Sequence, residues 1–407
     1  MSGSRGLDAF AKLSDPVREA LSDRGFDRPT EPQRRAIPPI ADGEDALVVA
    51  PTGTGKTETA MLPIFDALVE TRPDGFGALY VTPLRALNRD MQERLEWWGE
   101  TLDLEVDVRH GDTTDYRRGQ QADDPPDVLV TTPETLQAML TGSKLRKGLE
   151  SVDHVVVDEV HELAASKRGA QLTVGLERLR ELAGPFQRVG LSATVGDPET
   201  VGKFLTGDRG CTVVEVDVTS KIDFRVLEPE VRPEDEQLAS KLMTSATMAS
   251  HVRTIREVVD DHDSTLIFVN TRQTAEALGS RFKKLGANIG VHHGSLSKSA
   301  RIEVESAFKD GEIDALLCTS SMELGIDVGR IDHVVQYASP REVARLLQRV
   351  GRAGHRQDEV STGTIVTGHP DDTIEAMAIA RRALAGEVED ADIHQGSLDV
   401  VANQVVG

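Results

Sequence analysis

The sequence predicts an α/β fold on parallel sheets, arranged as two successive domains. Three observations carry this. Short apolar runs rich in β-branched residues recur along the chain. Helical patterns lie between them. A polar stretch with two prolines interrupts the series near its middle. Apolar runs without polar alternation mark strands covered on both faces, as in a parallel sheet whose crossovers are helices.

In chain order, the first half supplies DALVVA (45–50), ALYVT (78–82), DVLVTT (127–132), HVVVD (154–158) and RVGLSA (188–193) as strands. The second half supplies TLIFVN (265–270), NIGVHH (288–293), DALLCT (314–319), DHVVQY (332–337) and GTIVTG (363–368). Between the two sets, EPEVRPEDEQLASK (228–241) reads as an exposed linker or excursion. The domain change is expected between 210 and 250, and the chain divides into 1–210, 211–388 and 389–407. The last stretch, SLDVVANQVVG (397–407), sets Leu398, Val401 and Val405 on one helical stripe. Such a stripe needs a surface. Either it folds back onto the second domain or it opens a following one, and the second reading is preferred.

The 407 residues leave room for two or three domains. No apolar run is long enough to span a membrane, and the N-terminus has no apolar core of the signal-peptide kind. A cytoplasmic protein is expected. Cys211 and Cys318 alone make no disulfide framework and no zinc site. The formal charge is −22, and 34 of the 46 basic residues are Arg. An acid excess with few lysines suggests a halophilic protein from a salt-rich cytoplasm. At about 1 M salt the screening length is only ~3 Å. A nucleic-acid partner would then be held by close contacts, through backbone N–H groups, hydroxyls, stacking and a few arginines, rather than by long-range attraction.

VVAPTGTGKTE (48–58) follows the first strand and opens a helical pattern. Its loop holds Thr52, Gly53, Thr54 and Gly55. The two glycines let backbone N–H groups crowd around phosphate oxygens. The helix starting at Lys56 presents free N–H groups and a positive dipole end to the same anion. Lys56 would reach the β- and γ-phosphates, and Thr57 would bind Mg²⁺ through its hydroxyl. The usual pattern begins with Gly, where this chain has Ala50. Asp158 ends a strand, and strand C-termini gather along the edge where ligands bind. Asp158 would hold Mg²⁺ directly or through water, and Glu159 would orient and deprotonate an attacking water. Together these parts indicate nucleoside triphosphate hydrolysis. QRVGRAGHR (348–356) adds arginines of the kind that stabilise γ-phosphate charge from another domain.

The ensemble resembles the superfamily 2 helicases. In order the motifs read TEPQ (30–33), APTGTGKTE (50–58), TPLRAL (82–87), TTPETL (131–136), DEVH (158–161), SAT (192–194), FVNTR (268–272), HHGSLS (292–297), TSSMELGIDVG (319–329) and QRVGRAGHR. Within that superfamily, VDEVHELAASKRG, LSATV, CTSSMELGIDVG and RLLQRVGRAGHR resemble the Lhr family of large helicase-related DNA helicases. The resemblance implies two RecA-like P-loop NTPase domains in tandem, ATP and Mg²⁺ as cofactors, and a following winged-helix domain that begins at 389. It matches Gln33 to the adenine-reading glutamine. His161, Ser192 and Thr194 match residues that couple the nucleotide site to the cleft. No second ligand stands at metal spacing from His161. Gly325 and Asp327 match the ribose side, and Gln348 and Arg352 the γ-phosphate side. The last motif departs from many relatives: His355 stands where a second arginine is usual, and Arg356 follows it.

The resemblance also implies contacts to the backbone of one nucleic-acid strand. Arg85, Gly111, Thr113, Thr132, Thr271, Arg272, Gly294 and Thr319 are the candidates, though each alone is nearly as apt to be a helix cap or turn residue. No zipper of stacking aromatics is visible, and aromatics make up 4% of the chain. Single-stranded or forked DNA is the expected partner, with 3′ to 5′ movement and a repair role by family resemblance. An RNA or RNA–DNA hybrid remodeller and an ATP-dependent clamp are the rival readings, because backbone contacts do not separate them. Lys167 and Arg168, in the turn after the DEVH motif, either touch DNA or pair with acids on a solvated loop.

Overall fold

The computed structural model describes residues 9–83, 89–111, 113–216, 222–323, 329–353 and 360–406. The chain forms two compact units. Met1–Ala50, Thr54–Val216 and Asp390–Gly407 make up the first; Pro51–Gly53 and Asp217–Glu389 make up the second.

Each unit is built on a parallel sheet. The first sheet comprises β1 (Ala46–Val49), β2 (Ala78–Val81), β3 (Val106–Arg109), β4 (Val128–Thr131), β5 (His154–Val157), β6 (Gln187–Ser192) and β7 (Thr212–Glu215). Its order is β3-β4-β2-β5-β6-β1-β7. The second comprises β8 (Ile222–Leu227), β9 (Thr265–Phe268), β10 (Ile289–His292), β11 (Ala315–Cys318), β12 (His333–Tyr337) and β13 (Ser361–Val366). Its order is β10-β11-β9-β12-β13-β8. Every strand pair in both sheets is parallel.

Successive strand residues face opposite layers of core. Val48, Tyr80, Val130 and Val156 join one buried cluster; Val49, Val81, Leu129 and Val157 join the other. The helix Lys56–Thr71 closes the first face with Met61, Ile64, Phe65 and Leu68. The helix Lys167–Ala183 closes the second with Leu172, Leu176 and Leu179, a stripe at helical spacing. Burial on both sides explains why the central strands read as continuous apolar runs.

Two segments lie elsewhere than the sequence suggests. The polar stretch 228–241 is no linker between domains. Its prolines and acids mark a helix start within the second unit: Pro233–Leu242 has a proline at its first turn and Glu234, Asp235 and Glu236 against the positive end of its dipole. Asp235 is fully buried and pairs with Arg253 at 2.9 Å. The domain change comes earlier, between β7 and β8, because Thr212–Glu215 still pairs with β1. The second segment is the terminal helix, Leu398–Val406, which lies on the first unit and not on the second. Lys167 Nζ donates to Asp399 at 2.9 Å, Arg178 to Gln404 at 2.8 Å, and the His394 N–H to the Ala164 carbonyl at 2.9 Å. Its apolar stripe stays in solvent, with Leu398, Val401 and Val405 at 79%, 53% and 81% exposure. No described helix is long and apolar enough to cross a membrane.

Candidate active site

The loop between β1 and the helix at Lys56 is shaped by two glycines. Gly53 and Gly55 both adopt left-handed backbone, with φ of 78° and 79°, which glycine reaches without steric cost. At Gly55 a Cβ would also stand 2.8 Å from Gln33 Nε2. No side chain caps the helix that follows, and a helix start offers its backbone N–H groups and the positive end of its dipole to an anion. Lys56 is buried, and its Nζ donates to the Ala50 carbonyl at 2.5 Å. Gln33 is fixed by local sequence. Thr30-Glu-Pro-Gln33 forms a capping box, in which Gln33 Oε1 accepts from the Thr30 N–H at 2.9 Å and the Thr30 hydroxyl accepts from the Gln33 N–H. The same hydroxyl donates to the Thr54 carbonyl at 2.9 Å, locking the box to the glycine loop.

The acids stand at the end of β5, two strands along from β1 in the sheet. Asp158 follows β5, and its N–H donates to the Val81 carbonyl at 2.8 Å. Its Oδ1 accepts from the Glu159 N–H at 2.9 Å, and its Oδ2 from the Tyr80 hydroxyl at 2.8 Å. Burial, and then the charge of Glu159, push the Asp158 carboxyl up to about 7; the Tyr80 hydroxyl and the Lys56 ammonium work against that rise. Glu159 is buried and held at φ 48°, a left-handed conformation costing a non-glycine residue on the order of 1 kcal/mol. It sits where β5 turns into the short helix Val160–Ala164. His161 Nδ1 accepts from the Ala193 N–H at 3.3 Å and lies 3.2 Å from Ser192 Oγ and 3.6 Å from Glu159 Oε2. Accepting at Nδ1 assigns the proton to Nε2. Burial, and then the Lys56 charge, push this imidazole down to about 3, so it is neutral. His161 thereby joins the acidic turn to the end of β6, just ahead of the half-buried Thr194.

Tyr80 was not among the residues marked by motif. Its buried hydroxyl donates to one that was, Asp158, at 2.8 Å. Thr57 supplies a hydroxyl from the first turn of the helix Lys56–Thr71. One hydroxyl and one carboxylate suit a hard cation that keeps waters and phosphate oxygens as its other ligands, as magnesium does. Among the described residues, no three or more His, Cys, Asp or Glu gather as a metal cage.

Sheet order separates this edge of the first unit into two halves. β5, β6 and β1 end at the acids, at Ser192 and at the glycine loop. β3 and β4, in register at Arg109 and Thr131, end at the other candidates, Gly111, Thr113 and Thr132. Thr132 caps the helix Pro133–Thr141 through Thr135 N–H, and Thr113 Oγ1 accepts from the His110 N–H at 2.9 Å. In the second unit, β10, β11 and β9 are neighbours, and Gly294, Thr319, Thr271 and Arg272 follow their ends. Thr271 caps the helix Arg272–Leu285. Arg272 donates to Ser295 Oγ at 2.8 Å beside an open groove of about 590 Å³. His293, bonded to Glu276 at 2.6 Å, lines the same groove.

The last motif carries a buried centre that its spacing does not reveal. Arg349, only 2% exposed, sits between Gln348 and Arg352 in sequence and pairs with Glu323 at 2.5 Å. Gln336 and Asn270 accept its remaining donors at 2.5 and 3.2 Å. Arg352 donates to the Glu323 carbonyl, so the same residue fixes both arginines. Gln348 is half-buried on the helix Val343–Val350. Arg85, Gly325, Asp327 and Arg356, with His355, lie outside the described residues. Arg168 forms a fork onto Glu134, and Lys167 meets Asp399. Both basic residues of the turn thus have acidic partners within the first unit.

Residues 30–201 match the DEAD/DEAH box helicase family and residues 250–357 the helicase conserved C-terminal domain. The chain is 40% identical to the ATP-dependent helicase Lhr-Core of Methanothermobacter thermautotrophicus, over 94% of this chain and 47% of that protein. It is 30% identical to the RNA helicase CrhR of Synechocystis sp., over 84% of this chain and 65% of that protein. The solved structure of Mycobacterium smegmatis helicase Lhr bound to ssDNA and AMP-PNP aligns with a TM-score of 0.86 at 38% identity, over 98% of this chain and 53% of that one. The chain spans about half the length of the Lhr-Core proteins it matches.

Proposed function

The chain belongs to the DEAD/DEAH box helicases of the Lhr kind, and on that premise we propose that it is a DNA-stimulated ATPase that moves along single-stranded DNA. The observation that carries this reading is the placement of Lys56, Thr57, Asp158 and Glu159 along one edge of the first sheet, after β1 and β5 with β6 between them. The glycine loop and the uncapped helix start bind the phosphates, and Lys56 leaves the Ala50 carbonyl to meet the β- and γ-oxygens. Gln33, set by its capping box beside Gly55, reads the adenine. Thr57 and Asp158 would hold Mg²⁺, which supplies charge neutralisation at the phosphates. Glu159 takes the proton of the attacking water. Arg352, aligned through Glu323, would stabilise charge at the γ-phosphate, with Gln348 beside it. The 3′ to 5′ direction, the repair role, the cytoplasmic location and the halophilic habit belong to the same proposal.

The strand-end residues Gly111, Thr113, Thr132, Thr271, Arg272, Gly294 and Thr319 would follow the sugar-phosphate backbone through hydroxyls and N–H groups, which carry no sequence information. RNA or an RNA–DNA hybrid is the second reading, favoured by the similarity to CrhR. One experiment separates them: ATP turnover with matched DNA and RNA single strands, forks and hybrids, at several salt concentrations. Stronger stimulation by single-stranded or forked DNA is expected. Stimulation by RNA alone would move the function to the second reading, and no nucleotide turnover under any condition would remove both.

A further inference from the structure

We propose that Tyr80 is a positioning residue for the magnesium–nucleotide seat: its hydroxyl donates to Asp158 Oδ2 and so sets the rotation of the carboxylate that would hold the cation. The inference rests on the ATP-site reading above and adds a residue to it.

Tyr80 lies in the middle of the first sheet, on β2, paired with Val156 of β5. Its neighbours on the same face are core residues: Val48, Val130 and Val156. Its ring is fully buried. A phenol at that place needs partners for its polar end, and a phenylalanine would fill the same volume without that need. Its partner is a residue assigned to the cation: the hydroxyl donates to Asp158 Oδ2 at 2.8 Å.

The contact has a chemical consequence. Asp158 Oδ2 is held by the tyrosine hydroxyl, while Oδ1 is held by the Glu159 N–H at 2.9 Å. Two donors fix the rotation of the carboxylate, and each oxygen keeps a lone pair unused. Without the phenol, Asp158 loses one of the two contacts that set its rotation.

The test uses the full chain and equilibrium binding of a fluorescent ATP analogue, titrated with MgCl₂ and repeated in EDTA. Tyr80→Phe is expected to raise the MgCl₂ needed for half-maximal tightening about tenfold, the loss of one hydrogen bond to a charged group. Affinity in EDTA should stay at the wild-type value, because Lys56 and the glycine loop are untouched. Adding Tyr80→Phe to Asp158→Ala should cost less than it does alone, since its partner is already gone. An unchanged magnesium requirement in Tyr80→Phe, or full additivity with Asp158→Ala, overturns the proposal. Lys56→Ala is the control for the underlying reading. If that variant binds nucleotide as well as the wild type, the site itself is misassigned.

Discussion

The Lys56 ammonium donates to the carbonyl oxygen of Ala50 at 2.5 Å, across the loop that it opens. A buried ammonium needs acceptors, and this carbonyl is one that a phosphate oxygen can replace. The contact keeps the charge over the glycine loop before any ligand arrives. Lys56→Ala is expected to lower ATP turnover about 10²-fold or more, by the measure of a single preorganised charge in a phosphoryl-transfer site. Steady-state phosphate release checks this, and turnover at the wild-type rate would show that Lys56 does not face the phosphates.

Glu159 is the second test. Its left-handed backbone places a carboxylate at the tip of a turn that glycine would adopt more readily. Strain of this kind persists where function selects the residue. Glu159→Gln keeps shape and removes the base. Turnover should fall by about 10²- to 10⁴-fold, the usual contribution of a positioned base. Nucleotide affinity should change little, because Lys56 and the loop remain. Sustained hydrolysis by the variant would assign the base elsewhere.

Ten strands and the phosphate loop are legible in the sequence because their physics is local. Strands buried on both faces read as apolar runs, and a glycine loop between strand and helix reads as an anion site. The strands that do not appear among those runs are β3, β7 and β8, and each is a sheet edge. VDVR, TVVE and IDFRVL carry charge or exposed positions because only one side of an edge strand is covered. Tyr80 is hidden for a related reason: within ALYVT it looks like one more core residue, and only the fold brings it to Asp158. Arg349 is hidden inside a motif noted for other arginines. The stretch 228–241 misleads because proline and acids signal a linker and a helix start alike.

Lys167 and Arg168 leave two readings open in sequence, and the structure favours pairing. Arg168 reaches Glu134 through two nitrogens, and Lys167 meets Asp399 on the terminal helix. All four side chains are well exposed, so each pair contributes little. Replacing both by Gln should leave the denaturant midpoint nearly unchanged and mainly loosen the terminal helix. DNA affinity at fixed salt should stay within about twofold, since neither charge needs a phosphate partner. A loss of salt dependence together with affinity would make the turn a DNA contact instead.

The Arg349–Glu323 pair predicts a large effect from one substitution. Both groups are buried, and burying a charge without its partner is costly. Glu323→Ala leaves the guanidinium with only the Gln336 and Asn270 oxygens. It should destabilise the second unit by about 3 kcal/mol or more, read from the denaturant midpoint. The effect should exceed that of removing an exposed pair such as Arg168 and Glu134. Equal effects would mean that Arg349 is solvated in the native state.

Stability should also depend on pH through His333. The ring is fully buried on β12, with Nδ1 2.8 Å from Thr362 Oγ1 and Nε2 2.8 Å from Thr364 Oγ1. It stacks on the His262 ring at 4.0 Å. Burial, then His262 and the Arg225 charge, push its imidazole down to about 4. An unfolded histidine titrates near ~6.5. Between those values the unfolded chain binds a proton that the folded chain refuses, so stability rises with pH across this window. The His333 contribution is fully present above about 6.5 and is lost as pH falls toward 4. His333→Asn removes the group that titrates. Urea midpoints at pH 5 and pH 7.5 should therefore lie further apart in the wild type than in the variant, in about the proportion set by one proton. Equal separations would assign the acid sensitivity to other groups.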